Sequence, residues 1–403
     1  MSRIPKTVFT LGIVSFLTDI SSEMIYPLVP IFMKDVLRAP VLAIGLVEAV
    51  AEATASLMKV ISGYISDRLG KRKALAVVGY GISALNKPVL GFAANWGHVF
   101  GARFADRFGK GIRTSPRDAL IADVTEGGQR GIAFGFHRGM DTAGAVLGPL
   151  IAYLFLRHLS ASHHEAGTAY RSLFFLSAVP AILGVLILAS FVRDPQSGPR
   201  PTQLPRIRLS GFDRRFKVFL LVVTLFSVGN SSDVFLILRA RGLGIAAENV
   251  LLIYVAFNIV QMLLAVPMGS LSDRIGRRPV IVLGYLIFAG VYAGFALAKS
   301  ASTAWLLFLI YGLYYACTES VQRAYAADLS PPELRGTAIG AYHTFVGLAL
   351  LPASTIAGFL WDRIGPAAPF AYGAATALLS ALLLSALLAG KTEDSKQESK
   401  TVK

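Results

Sequence analysis

Apolar runs of about 20 residues, the length a helix needs to cross a bilayer, follow one another along the chain with little between them but short polar turns. The pattern predicts twelve membrane helices. Spans 1 to 6 fall near 8–33, 41–63, 74–94, 96–119, 131–156 and 169–192. A stretch rich in Pro and Arg follows Arg193 and cannot form a membrane helix. Spans 7 to 12 then fall near 216–238, 248–270, 278–298, 303–327, 337–360 and 367–389. The expected organisation is an all-α membrane protein: a six-helix bundle over 1–192, a linker over 193–215, a second bundle over 216–390 and a charged tail over 391–403.

The turns repeat at half-chain spacing, which marks two related halves. Gly63-Tyr-Ile-Ser-Asp67-Arg68-Leu-Gly70-Lys71-Arg72 recurs 206 residues later as Gly269-Ser-Leu-Ser-Asp273-Arg274-Ile-Gly276-Arg277-Arg278. Ala122-Asp123 with Arg130-Gly131 matches Ala327-Asp328 with Arg335-Gly336, and Ser21-Ser22-Glu23 resembles Ser231-Ser232-Asp233. In the turn, Gly63 permits close helix packing and Gly70 a tight reversal. Asp67 suits a helix N-terminus, and Lys71 and Arg72 can reach Asp118 or Asp123 at the end of span 4. Only the first copy is expected to abut a charged span 4 in this way.

Composition agrees with the pattern: 54% of residues are hydrophobic, 16% are charged, and the mean hydropathy is +0.58, too apolar for a soluble protein of this length. A net charge of +15 would suit a nucleic-acid partner, but the Lys and Arg gather in alternate short loops and both tails. That is the mark of cytoplasm-facing segments. Both termini are therefore expected in the cytoplasm of a bacterial inner membrane, with linker arginines near anionic lipid. The N-terminus superficially resembles a signal peptide, but its apolar run carries Asp19 and Glu23 and lacks a small-residue cleavage site. A single cysteine, Cys317, leaves no internal disulfide. His158, His163 and His164 crowd one outer loop without a supporting acidic or thiol cluster, so no metal site is expected.

Charges inside spans are costly and normally face a cavity or a partner. Asp19 and Glu23 share a face of span 1, and Glu48, Glu52 and Lys59 fall within roughly 40° on span 2. Span 4 packs Arg103, Asp106, Arg107, Lys110, Arg113, Arg117 and Asp118 into an arc of roughly 140°. Span 5 adds His137, Arg138 and Asp141, and span 3 adds Lys87. Asp19, Glu52 and Arg107 lie near the midplane by helical rise. The second half is poorer in charge, with Asn230, Asp233, the pair Glu319 and Arg323, and His343, beside Tyr254, Asn258 and Gln261; Tyr314 and Tyr315 read as core.

The doubled Gly-x-x-x-Asp-Arg-x-Gly-Lys/Arg-Arg turn within a twelve-span pattern resembles the hallmark of major facilitator superfamily transporters, over essentially residues 8–390. Arg107-Phe-Gly-Lys110-Gly111 resembles that family's Arg-x-x-Gln-Gly element, departing at Lys110 and Arg113. Gly144-Ala-Val-Leu-Gly148-Pro149 resembles the Gly-x-x-x-Gly-Pro hinge of its proton-coupled exporters, departing at Ala152 and Tyr153. The resemblance implies two pseudo-symmetric six-helix halves and alternating access. It also implies a conformational latch built from Gly63, Asp67, Arg68, Gly70, Lys71, Arg72, Asp118 and Asp123, with Gly269, Asp273, Arg274, Gly276 and Arg277 in the second copy. It suggests proton-coupled export of small organic molecules by a monomer without cofactor. On that reading Asp19, Glu23, Glu48 and Glu52 handle protons with Arg107 as modulator. Arg103, Lys110, Arg138, Asp141, Asn230, Asp233, Glu319, Arg323 and His343 face substrate. The alternative is uptake or exchange of an organic anion through the cationic set of span 4. An enzyme has little support, since no nucleophile with a matched base, metal-ligand spacing or phosphate loop is present.

Overall fold

The computed structural model describes residues 4–69, 71–125, 130–161, 165–194, 212–330 and 335–387. Their membrane-length helices are α1 (Lys6–Val36), α2 (Val41–Leu69), α3 (Arg72–Gly91), α4 (Trp96–Asp123), α5 (Arg130–Ala161), α6 (Ala166–Phe191), α7 (Arg214–Gly242), α8 (Ala247–Ile275), α9 (Arg277–Leu297), α10 (Ala301–Asp328), α11 (Arg335–Arg363) and α12 (Ala368–Leu387). Eleven are long and apolar enough to cross a membrane on composition alone. The remaining one, α4, carries the dense charge set and owes its definition to other signals. Asn95 caps it by accepting from the His98 amide at 3.1 Å, and Ser300 caps α10 from Thr303 in the same way, 205 residues on.

Where the sequence predicts continuous spans, two helices are broken. The α1 helix stops at Ile25, turns through Tyr26–Leu28, and resumes to end in a π-helical turn at Phe32–Val36. Pro27 explains the first break, since it lacks the amide donor that would continue the helix. The α7 helix is interrupted at residues 230–233, where the Asn230 backbone leaves helical geometry with ψ 82°. Breaks at related places in the two halves fit the rule that irregular backbone in membrane helices belongs to functional interiors. The linker expected over 193–215 and the tail over 391–403 lie largely or wholly outside the described residues.

Two compact units emerge. The first comprises Met1–Pro205 and Ser232–Asn258, the second Arg206–Ser231 and Ile259–Lys403. In the first, α1 packs on α5 and α6, α3 on α4 and α6, and α2 on α4. In the second, α7 packs on α11 and α12, and α9 on α10 and α12, so these partnerships return with each helix advanced by six, whereas the α2–α4 pairing has no comparably close counterpart between α8 and α10. The cores differ. An apolar cluster of Val8, Leu11, Val14, Ala76, Tyr80, Leu120 and Ile121 closes the turn-bearing end of the first unit beneath its buried charges. The second is filled by aromatic rings, among them Phe226 stacked on Tyr285 (4.0 Å between centroids) and Phe288 on Tyr292 (3.9 Å).

Helix α1 and helix α5 meet through glycine. A Cβ on Gly144 would lie 2.7 Å from the Phe16 carbonyl oxygen and 2.9 Å from Asp19 Cβ. One on Gly148 would lie 2.6 Å from the Ile20 carbonyl oxygen and 3.1 Å from Glu23 Cβ. Small residues at such contacts let backbones approach. Gly148→Val is expected to lower the unfolding temperature in detergent by about 5 °C through overpacking. Gly101→Ala, where a Cβ meets nothing within 4 Å, should not lower it.

Candidate functional site

The parallel helices α2 and α4 are joined like a ladder. Arg103 grips Glu48 with two bonds, Nε to Oε1 at 2.9 Å and an Nη to Oε2 at 2.7 Å, and one turn on Arg107 meets Glu52 at 3.2 Å. Below them Ser62 donates to the Gly111 carbonyl (2.9 Å) and Ser115 to the Lys59 carbonyl (2.7 Å). Gly111 makes this approach possible, since a Cβ there would sit 2.8 Å from the Ala55 carbonyl oxygen. The i, i+4 spacing on both helices lets two ion pairs form in register.

Asp106, one turn from Arg103 on α4 and 3.9 Å from its guanidinium, ties in two more helices. Lys87 of α3 lies 3.4 Å from it and also donates to Ser22 of α1 at 3.2 Å. Tyr26, at the break in α1, has the guanidinium groups of Arg103 and Arg107 at 5.6 and 5.8 Å from its ring, and Tyr254 at 5.9 Å. Arg113 stacks on Tyr80 at 4.3 Å, with its Nε and one Nη buried and unpartnered. Glu48, Lys87, Arg103, Asp106, Arg107 and Arg113 are all buried.

The remaining acids are placed differently. Asp19 and Glu23 rest against Gly144 and Gly148, with Glu23 Oε2 buried and without a hydrogen-bond partner. The charges acting most strongly on Asp19 are Asp141, Arg113, Lys110 and Glu23. Asp141 lies 3.5 Å from His137 through one oxygen, and its other oxygen is buried and unpartnered. The four proposed proton carriers thus divide: Glu48 and Glu52 are counter-ions of arginine, whereas Asp19 and Glu23 sit at a glycine interface.

The proposed substrate residues are also dispersed. Arg103, Lys110, Arg138, Asp141 and Asp233 belong to the first unit, with Arg138 exposed on α5 and Asp233 in the break of α7. The second unit holds the rest. Asn230 donates to the Tyr314 hydroxyl (2.9 Å), Gln261 donates to Glu319 (2.6 Å), Arg323 lies 3.6 Å from Glu319, and His343 packs edge-on to Tyr342.

At the turns, Arg72 pairs with Asp123 at 3.2 Å, and Asp118 pairs with neighbouring Arg117 rather than with Lys71 or Arg72. The expected asymmetry does not hold: Arg277 meets Asp328 at 3.1 Å and also pairs with Asp273. These two contacts with α4 and α10 are the same contact shifted by 205 residues. Gly63 abuts Ser115, whereas a Cβ on Gly269 would meet open space. Gly276 turns the chain with φ +96°, a conformation that favours glycine. Arg274 is exposed. Gly70 and the side chains of Asp67 and Arg68 lie outside the described residues. One pair went unanticipated: Asp35, in the π-helical end of α1, binds Arg241 of α7 at 2.8 Å. These residues are 206 apart, so the repeat offset itself was the available signal.

Two six-helix repeats with paired charges inside the membrane spans and broken helices at matching places define a multi-pass membrane transporter. The family model described as Major Facilitator Superfamily matches residues 11–238 and 218–403, and the chain belongs to that family. It is 38% identical over 390 residues to an uncharacterised MFS-type transporter of Methanocaldococcus jannaschii, covering 95% of each chain. It is 33% identical over 160 residues to the class E tetracycline resistance protein of Escherichia coli, covering 39% of this chain and 38% of that one. Among solved structures, a nucleoside transporter superposes with TM-score 0.76 at 15% identity, covering 96% of this chain and 99% of that one.

Two outcomes follow from the ion pairs. Glu48→Ala, which leaves Arg103 buried and uncompensated, should cost about 3–5 kcal/mol in detergent unfolding, and Glu48→Leu with Arg103→Met should recover most of it. Asp123→Asn and Asp328→Asn should raise amide exchange at the starts of α3 and α9 to similar extents, by up to about fivefold, as expected of half-exposed pairs.

Proposed function

We propose that the chain is a secondary active transporter that works by alternating access and couples inward proton movement to the export of small organic molecules. The observation that carries this reading is the seating of Asp19 and Glu23 on the Gly144–Gly148 face of α5, with buried, unpartnered oxygens on Glu23 and Asp141. The other acids of the first-half spans α2 and α4 that face this cluster are already committed, Glu48 to Arg103, Glu52 to Arg107 and Asp106 to Lys87. A protonated carboxyl can rest against glycine with little penalty, whereas the carboxylate needs a cation or water. Lys110 and Arg113 of α4 are the cations acting on Asp19. Gain or loss of one proton therefore changes which helix the α1 acid prefers, and that preference is the coupling element.

The halves 1–192 and 216–390 are the two moving bodies, joined through the linker 193–215. The repeated turns hold their cytoplasmic ends through Arg72–Asp123 and Arg277–Asp328, and both termini lie in the cytoplasm. Likeness to the tetracycline resistance protein over 160 residues supports export. The anion-uptake alternative loses its main support, because Arg103 and Arg107 already face carboxylates. In everted vesicles, a compound identified by thermal stabilisation of the purified protein should collapse an imposed pH gradient. Asp19→Asn should reduce that collapse by about 100-fold, in the range of other proton-transfer groups. Undiminished collapse with both Asp19→Asn and Glu23→Gln would sink the assignment.

A further inference from the structure

His137, Asp141, Gly144 and Gly148 fall within roughly 60° of one another around α5, so two titratable groups share the face that meets α1. His137 is 4% exposed, and its Nδ1 stands 3.5 Å from Asp141 Oδ2. Its Nε2 and the Oδ1 of Asp141 are both buried without a hydrogen-bond partner. A pair serving only to fasten one helical turn would leave neither outer atom unsatisfied in a buried site. Here each residue has one atom toward the other and one atom unused.

Charged groups surround the pair on both sides. On one side Asp141 is the charge that acts most strongly on Asp19, ahead of Arg113, Lys110 and Glu23. On the other side Arg117 and Asp118 of α4 act on His137, with Arg138 beside it on α5, and the Asp118 side chain is 43% exposed. The α1 sequence has no titratable side chain between Lys6 and Asp19, and α6 has none between Arg171 and Arg193. The α1 backbone at this level is glycine, Gly12, covered by Phe136 and Met140.

We propose that Asp141 and His137 form the arm through which protons pass between Asp19 and the solvent at the turn-bearing end of the first unit. This extends the proton-coupled reading above and rests on it. In the exit direction, the Asp141 carboxyl gives its proton to Nδ1 while the proton on Nε2 leaves to water beside Asp118. The imidazole thus changes tautomer, one proton gained at one nitrogen and one lost at the other, and a ring reorientation that returns an unprotonated nitrogen toward Asp141 precedes the next transfer from Asp19. Histidine suits the step because its two nitrogens can accept and donate in turn near neutral pH.

The test needs no substrate. The purified full chain in lipid is taken through a pH jump while the carboxylic-acid carbonyl band is followed by infrared difference spectroscopy. The expected result is that His137→Gln reaches the wild-type end point about tenfold more slowly or worse, and that Asp141→Asn is slowed and loses part of the band. His137→Phe, which fills the site without a proton carrier, should be slowed alike and covers the case that the Gln variant folds poorly. Wild-type rates in His137→Gln or His137→Phe overturn the arm. If they coincide with loss of the band in Asp19→Asn, the proton site stands and only its route fails. A wild-type protein whose carboxyl band does not respond to pH at all overturns the coupling reading and the arm together.

Discussion

An ion in the hydrocarbon core of a bilayer must be paired, hydrated or neutral, and that requirement organises the first half of this transporter. Its α4 helix carries five arginines and lysines between Arg103 and Arg117, more than a lipid-facing helix tolerates. The helix is placed instead where its neighbours offset them. Helix α2 supplies Glu48 and Glu52, whereas α3 adds a further cation, Lys87, paired by Asp106 of α4 itself. Tyr26 and Tyr80 supply ring faces to Arg103, Arg107 and Arg113, where cation–π contact is strongest once water is excluded. Close approach at Gly111 keeps the α2–α4 rungs in register, since a slip by one residue would turn Glu48 and Glu52 away from both arginines at once.

The second half inherits most of the helix partnerships but not the chemistry. Where α3 and α4 are tied by ions, α9 and α10 are tied by rings, with Tyr285 accepting from Gln322, which in turn accepts from Tyr342. Ion pairs of fixed geometry resist sliding, whereas stacked rings and single hydroxyl bonds permit more shallow rearrangement. Duplication has thus preserved a packing plan while dividing labour. The turns are the exception, because Arg72–Asp123 and Arg277–Asp328 were kept in both copies. They lie at helix ends where water is near and the same pair serves whichever core lies behind it.

Much of this was legible along the chain. The apolar runs and the repeat offset yield the twelve helices, and the offset rescues α4, whose own hydropathy argues against it. The stripe of Glu48 and Glu52 is visible as a helical face, but its partner is not, since nothing in one helix says which neighbour will lie parallel to it. The Arg277–Asp328 pair is readable at an offset of 205 from Arg72–Asp123, although span 10 as a whole is far poorer in charge than span 4. The break at Pro27 has a local cause. The one at 230–233 has one too, in the run Gly229-Asn-Ser-Ser-Asp233, whose short polar side chains compete for backbone hydrogen bonds. Asp35 and Arg241 carry opposite charges at positions that duplication once made equivalent, a relation visible only after the halves are aligned.

Glycine at the α1–α5 contact imposes the last constraint. With the helix backbones as close as Gly144 and Gly148 allow, α5 brings no side chain of its own to those two positions, and Asp19 and Glu23 are each only partly exposed. On the proposed reading, an acid there is neutral while it rests on α5 and, once ionised, is drawn toward Lys110 and Arg113 on α4. A position poor for a permanent charge then suits one that comes and goes. On the proposed reading, the glycine pair is therefore less a hinge than a discriminator. It converts the presence of one proton into a preference of α1 for α5 over α4, which is the bistable contact that coupling requires.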